Sequence, residues 1–344
     1  MLSDRLKFIL GLLFGIFTVF LLFYVNRNSN LNEKLVAEIE ETFPEQVQKL
    51  KDSYGLYQWN KDSKTPLVLN AARPTVILIH GVDDPGKVWM NLAPELDLKN
   101  VNVLKMRYPN DQDIRLSAEF FLQELKKLSA QDIKIISIVA HSMGGLVSRE
   151  MLTSPNLKYK SLSDSGEIPK VDKLIMVGTP NHGSELAKFR VFAELREQFV
   201  HLFNNNGHIL SGIIDGTGQA KEDLLPGSEF LQSLNSRPQI ESVEMLVIAG
   251  VVSFWDESFM SRLEKFNQGS SFSLPEKSIS KLEEIARSMR NGVGDGLVTV
   301  ESAQLKGVRF SIVEANHLSM IRNVTASSTR NPPAIPLIMD FLEL

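Results

Sequence analysis

The stretch "IVAHSMGGLVSRE", residues 138–150, decides how the rest of the chain is read. An apolar, β-branched run, "IKIISIVA" (133–140), leads into it, and a helix begins near Gly144, so Ser142 falls on a sharp strand-to-helix turn. A nucleophile on such a turn has a strained backbone, needs small flanking residues, and has its hydroxyl thrust out at the sheet edge. Ala140 and Gly144 fill the two small positions; the usual pattern is G-x-S-x-G, and Ala in place of its first glycine keeps the steric logic. The helix start adds free N–H groups and a positive dipole end, both suited to developing negative charge. Serine is also a common helix N-cap. The apolar run before Ser142 and the double glycine behind it favour the nucleophile.

Working outward, "TVILIH" (75–80), "NVLKM" (102–106), "DKLIMVG" (172–178), "EMLVIAG" (244–250) and "VRFSIV" (308–313) read as further strands. Most are short continuous apolar runs, as expected for strands buried on both faces. Between them, "DIRLSAEFFLQELKKL" places Ile114, Ala118, Phe121, Leu125 and Leu128 at spacings of four and three, an amphipathic helix. Such alternation predicts an α/β domain over residues 74–344, a mostly parallel sheet flanked by helices. Two connections are longer than usual. Residues 184–239 open with an amphipathic stretch and read as a helical lid insertion, and residues 251–294 form a second, polar insertion with a helix expected at "EKSISKLEEIARSM".

The 344 residues are 43% hydrophobic and 23% charged, with a formal net charge of −4. That balance gives no basic surface for a phosphate backbone, so nucleic acid is not expected as a partner. The chain has no cysteine, which excludes disulfides, thiolate catalysis and thiolate zinc sites. Residues 8–25, "FILGLLFGIFTVFLLFYV", are uncharged and near the length that spans hydrocarbon. The run is longer than the apolar core of a signal peptide and ends "YVNRNSN" without a small-residue cleavage site, so an anchor over residues 1–27 is expected. Arg5 and Lys7 keep its start cytoplasmic and put the bulk of the chain on the extracytoplasmic side, with Arg27 softening the asymmetry. Residues 28–73 then read as a juxtamembrane linker of short polar helices broken by Pro44.

His80-Gly81 ends the first strong strand, where an oxyanion hole needs a backbone N–H. The expected donors are the N–H groups of Val82 and Met143. His80 with Asp83 and Asp84 could suggest a metal, but adjacent acids after such a loop are better read as solvated turn residues, and neither metal nor cofactor is expected.

"AHSMGG", "HGV", "GTPNHGS", "DLLPGSEFLQSLN" and "GDGLVTVESA" together resemble the lipase branch of the α/β-hydrolase fold. The likeness, to bacterial triacylglycerol lipases and to inositol-deacylase-like hydrolases, runs from about residue 74 to the end of the chain. It implies a triad in the order Ser…Asp…His. Of six histidines, His80 and His141 belong to the oxyanion and elbow motifs and point away from Ser142, and His201 and His208 fall in the expected lid. The resemblance gives His182 a place in the pocket lining. His317, after the last strand, is the expected base. Among Asp172, Asp215, Asp223, Asp256 and Asp295, the best placed is Asp295, in the turn "GDG" before the final strand, with Asp256 second. The expected protein is a membrane-anchored serine hydrolase forming an acyl-enzyme on a lipid or other acyl ester. Acyl transfer or thioester hydrolysis by the same triad, and an idle scaffold or lipid-binding module, are the alternatives.

Overall fold

The computed structural model describes residues 41–42, 44–59, 67–82, 86–110, 112–184, 219–252, 294–323 and 328–344. Seven strands form one sheet: β1 (Gly55–Gln58), β2 (Thr75–Ile79), β3 (Asn102–Arg107), β4 (Ile135–His141), β5 (Lys170–Val177), β6 (Glu244–Val251) and β7 (Arg309–Glu314). Their order is β1-β3-β2-β4-β5-β6-β7, with β2 to β7 parallel and β1 antiparallel to β3. Nine α-helices accompany them among the described residues: α1 (Pro44–Asp52), α2 (Leu92–Leu98), α3 (Ile114–Ser129), α4 (Met143–Thr153), α5 (Tyr159–Asp164), α6 (Gln219–Asp223), α7 (Glu229–Ser236), α8 (Val300–Ala303) and α9 (Ala334–Leu342).

Every residue of β2 is buried, because helices cover both faces of the sheet. The two-residue side-chain period splits the strand between two cores. Ile77 and Ile79 pack with Phe121, Leu125 and Leu146 of α3 and α4, whereas Val76 and Leu78 pack with Leu92, Leu96, Ile335 and Ile338 of α2 and α9. Helix α3 begins where Asp113 accepts from the Arg115 N–H, and it buries the apolar positions its spacing marks out.

All six expected strands are present. The region 28–73, read as a linker, contributes β1 to the sheet as well. Four residues beside polar neighbours give too little periodicity to reveal a strand, and β1 is secured by pairing and by the Leu56 N–H, which donates to Glu124 Oε2 at 3.1 Å. Pro44 opens α1, a first-turn position where its missing N–H breaks no helical bond. The second half of the stretch expected as a lid is built into the body, with Phe230, Leu231 and Leu234 of α7 buried. Most of its first half, the second insertion from 253 to 293 and the anchor over residues 1–27 lie outside the described residues. Among the described residues no helix is long and apolar enough to cross a membrane.

Candidate active site

Strand β4 ends at His141, and α4 begins at Met143, leaving Ser142 alone at the turn with φ 55° and ψ −130°. A residue with a side chain held there carries about 1–3 kcal/mol of strain. Two bonds impose the conformation: the Ser142 N–H donates to Val177 O at 2.9 Å, and Thr179 Oγ1 donates to Ser142 O at 2.9 Å. The double glycine behind the serine has two separate causes. A Cβ on Gly144 would lie 2.3 Å from Ile79 O, and one on Gly145 would lie 2.2 Å from Thr179 Oγ1.

The chain end of β2 approaches from the other side. A Cβ on Gly81 would fall 2.7 Å from Ser142 Cβ and 3.1 Å from its Oγ, so only glycine lets the loop backbone come that close. His80 Nδ1 lies 2.8 Å from Gly81 O; a carbonyl accepts, so Nδ1 carries the proton. In a trans peptide the C=O and the next N–H point in opposite directions. The bond to Gly81 O therefore fixes the direction of the Val82 N–H. Tyr108 braces this arrangement, its hydroxyl donating to His80 O at 2.6 Å and its ring 4.7 Å from the imidazole. Met143 supplies the first N–H of α4, which has no acceptor within the helix. The two expected oxyanion donors thus come from the backbone on either side of Ser142.

The turn at Gly294 builds the setting of Asp295. Gly294 has φ 54°, and a Cβ there would lie 1.9 Å from Val298 O. Asp295 Oδ1 accepts from the N–H groups of Leu297 and Val298 at 2.9 and 2.8 Å, leaving Oδ2 to meet His317 Nδ1 at 2.7 Å. The His317 N–H also donates to Asp295 O at 2.9 Å. Both residues are buried, at 1% and 3% exposure, so water does not compete for the contact. With the proton on Nδ1 facing the carboxylate, Nε2 presents a lone pair, and Nε2 is buried without a hydrogen-bond partner. Nε2 accordingly makes no hydrogen bond to Ser142 Oγ here, and contacts between a base and a nucleophile are often long before substrate binds.

Gly178 joins the two halves of the site. It follows Val177, the β5 partner of His141, so it lies beside Ser142. Its φ is 60°, and a Cβ would meet Asp295 Oδ2 and His317 Nδ1 at 3.1 Å. His141, expected to point away from Ser142, packs on His317: its Nε2 lies 2.9 Å from His317 O, and the two ring centroids are 4.6 Å apart. Neither role had a local signal, because both depend on which strands become neighbours.

The remaining candidates sit elsewhere. His182 is exposed and tied to Gln304 O at 3.1 Å. Asp172 is exposed near the start of β5, at the opposite edge of the sheet. Asp223 accepts from the Ile114 N–H at 3.0 Å at the start of α3, and burial pushes its carboxyl up to about 6. The loop after β5 is fastened by the buried Arg149 guanidinium, which donates to Asn181 Oδ1 at 3.0 Å and Asn235 Oδ1 at 2.9 Å; burial lowers it to about 10. Asp83, Asp84, His201, His208, Asp215 and Asp256 lie outside the described residues. Among the described residues no three His, Asp or Glu side chains group as a metal site.

A family described as a domain of unknown function (DUF7379) matches residues 112–224, from α3 through the elbow to α6. No curated protein matches the chain. Among solved structures, lipase BlEst2 from Bacillus licheniformis in its mature form is similar at 18% identity with a TM-score of 0.52, covering 83% of this chain and 97% of that one. Phospholipase PlaB from Legionella pneumophila is similar at 18% identity with a TM-score of 0.50, covering 79% of this chain and 60% of that one. Together with the parallel sheet and the turn at Ser142, these likenesses establish that the chain has the α/β-hydrolase fold of bacterial lipases.

Proposed function

We propose that the chain is a membrane-anchored serine hydrolase that cleaves a carboxylic ester of a lipid through an acyl-enzyme. The observation that carries this reading is the buried Asp295–His317 pair, whose Nε2 has no hydrogen-bond partner and whose imidazole packs on His141, the residue before the strained Ser142. Ser142 Oγ bonds to the ester carbonyl carbon as His317 Nε2 takes its proton. The C–O bond then breaks, and the alcohol leaves with that proton. Water attacks the acyl-enzyme by the same route in reverse, releasing the carboxylic acid and restoring Ser142. Asp295 holds the tautomer and stabilises the imidazolium, while the Val82 and Met143 N–H groups bind the oxyanion. Losing one such donor costs ~3–4 kcal/mol in other enzymes of this type. The lipid preference draws on the fold shared with lipases and on the apolar segment 8–25, which anchors the chain with its catalytic domain on the extracytoplasmic side. The inositol-deacylase-like branch is the finer placement, suggested by "GTPNHGS" and "GDGLVTVESA".

The test is fluorophosphonate labelling of the full chain in detergent micelles. Wild type should label and cleave short-chain esters, and Ser142→Ala should do neither while melting at a similar temperature. A wild type that is folded yet neither labels nor cleaves would overturn the enzyme reading in favour of a scaffold.

A further inference from the structure

Four stretches that the sequence marks out meet at one buried guanidinium. Arg149, in "IVAHSMGGLVSRE", lies about two turns along α4 from Ser142 and is 5% exposed. Its Nη1 donates to Oδ1 of Asn181, in "GTPNHGS", at 3.0 Å, and its Nη2 donates to Oδ1 of Asn235, in "DLLPGSEFLQSLN", at 2.9 Å. Asn181 Nδ2 in turn donates to the carbonyl of Ala303, the end of "GDGLVTVESA", at 2.7 Å. Asn235 Nδ2 closes the group by donating to Asn181 O at 2.9 Å. Arginine only donates and a carbonyl only accepts, so the Asn181 amide has one orientation, oxygen toward α4 and nitrogen toward α8. Asn181 is fully buried, and water cannot stand in for either partner.

Helix α8 continues the turn that carries Asp295. Asp295 Oδ1 accepts from Leu297 and Val298, and the Asp295 N–H donates to Val298 O at 3.1 Å. Thr299 then caps α8 by accepting the Ser302 N–H at 3.0 Å, and the Ala303 N–H donates to Thr299 O at 3.0 Å. Residues 295–303 are thus bonded into one piece. The loop after β5 is strapped to it: the His182 N–H donates to Ser302 O at 2.9 Å, and Ser184 Oγ donates to Leu297 O. At its other end the same loop holds Ser142 O through Thr179 Oγ1. Of the side chains in that loop, Asn181 alone bonds to both α4 and α8.

Both acceptors of the Arg149 guanidinium are neutral amides, and burial works against the charge they hold. A cation kept at that cost suits a job that uses its planar fork, one group reaching two segments at a fixed angle. We infer that Asn181, oriented by Arg149, is a positioning residue of the reaction: it fixes the spacing of α4 and α8 and so sets the Asp295–His317 pair against Ser142. This inference rests on the proposed ester hydrolase.

Asn181→Asp tests the relay at its middle. The carboxylate keeps an oxygen for Arg149 and has no N–H for Ala303 O, so the loop stays bonded to α4 and loses α8. Tyr159→Phe is the control for lost stability alone, because the Tyr159 hydroxyl accepts from the Val171 N–H at 2.7 Å near the amino end of β5, away from the site. With the full chain in detergent micelles and a water-soluble butyrate ester, Asn181→Asp should lower kcat by ~10- to 100-fold, the larger figure being the cost of a displacement of about an ångström. KM should change little. Tyr159→Phe should melt at a lower temperature and turn over as wild type does. Arg149→Lys, which offers a single ammonium to two oxygens, should lose less than Asn181→Asp, and its kcat carries the test if Asn181→Asp does not fold.

A reading without catalysis comes from the ring 15N signals of His317, assigned by their loss in His317→Gln. Wild type should hold the proton on Nδ1, Asn181→Asp should populate both tautomers, and Tyr159→Phe should keep the wild-type pattern. Wild-type kcat or an unchanged tautomer in Asn181→Asp overturns the positioning role, and so does an equal loss of kcat in Tyr159→Phe. A folded wild type that leaves the ester intact overturns the hydrolase reading, and the tautomer in Asn181→Asp then decides the link from Asn181 to Asp295 by itself.

Discussion

His141 and His317 are joined twice: Nε2 of the first meets the backbone carbonyl of the second at 2.9 Å, and their rings pack with centroids 4.6 Å apart. Because a carbonyl only accepts, His141 carries its proton on Nε2, and the bond ties the loop of His317 to the strand that ends just before Ser142. A neutral hydrogen bond contributes about 1 kcal/mol, or roughly fivefold in rate if all of it positions the base. His141→Ala should lower kcat for a soluble ester by about that factor with KM little changed. His141→Gln, which keeps a donor, should recover part of the loss. A change in KM alone would remove His141 from the positioning of His317.

Asp295→Asn separates the structural and chemical halves of one carboxylate. The amide oxygen still accepts from the Leu297 and Val298 N–H groups, so the turn should form and the melting temperature should change little. Its NH2 group, facing His317 Nδ1, demands the opposite tautomer and puts the proton on Nε2. Turnover should then fall steeply, by as much as ~10⁴ if the loss follows that of serine proteases. Kinetics on the purified variant, beside a thermal melt, check both halves. Full activity would hand the role to Asp256.

Asp223 gives the stability a pH dependence of defined sign. Burial raises its carboxyl from 3.8 to about 6, so between those values the folded chain holds a proton that the unfolded chain has released. Stability from this group is greatest in acid and is lost as the pH rises through about 6. The residue is partly exposed, which makes the effect smaller than a fully buried shift would give. Asp223→Asn keeps an acceptor for the Ile114 N–H and has no charge to desolvate. It should raise the melting temperature at about pH 8 and leave it unchanged at about pH 4. A gain of equal size at both pH values would place the effect outside this titration.

The parts of the fold legible in the sequence are those with local causes. Strands β2 and β4 to β6 are apolar runs because both faces are covered, and the turn at Ser142 needs its small neighbours within a few residues. The expected acid and base rest on chain order after Ser142, and the structure puts the two side chains in contact. What stayed hidden depends on neighbours distant in sequence. Strand β1 is visible only through its pairing with β3. Gly178 looks like an ordinary turn glycine until the Asp295–His317 pair is set above it. His80 serves by fixing the peptide that carries the Val82 N–H, which no spacing in the sequence can indicate.

The backbone at Ser142 has a consequence for the history of the chain. At φ 55° and ψ −130° glycine is the residue at ease, and nothing in the folding of the body requires a hydroxymethyl group there. A lineage released from chemistry could drift to glycine at this position and fold more stably for it. Retaining serine against that gradient is what selection for turnover would leave behind, and Ser142→Gly offers a direct reading: a higher melting temperature bought with the whole of the activity.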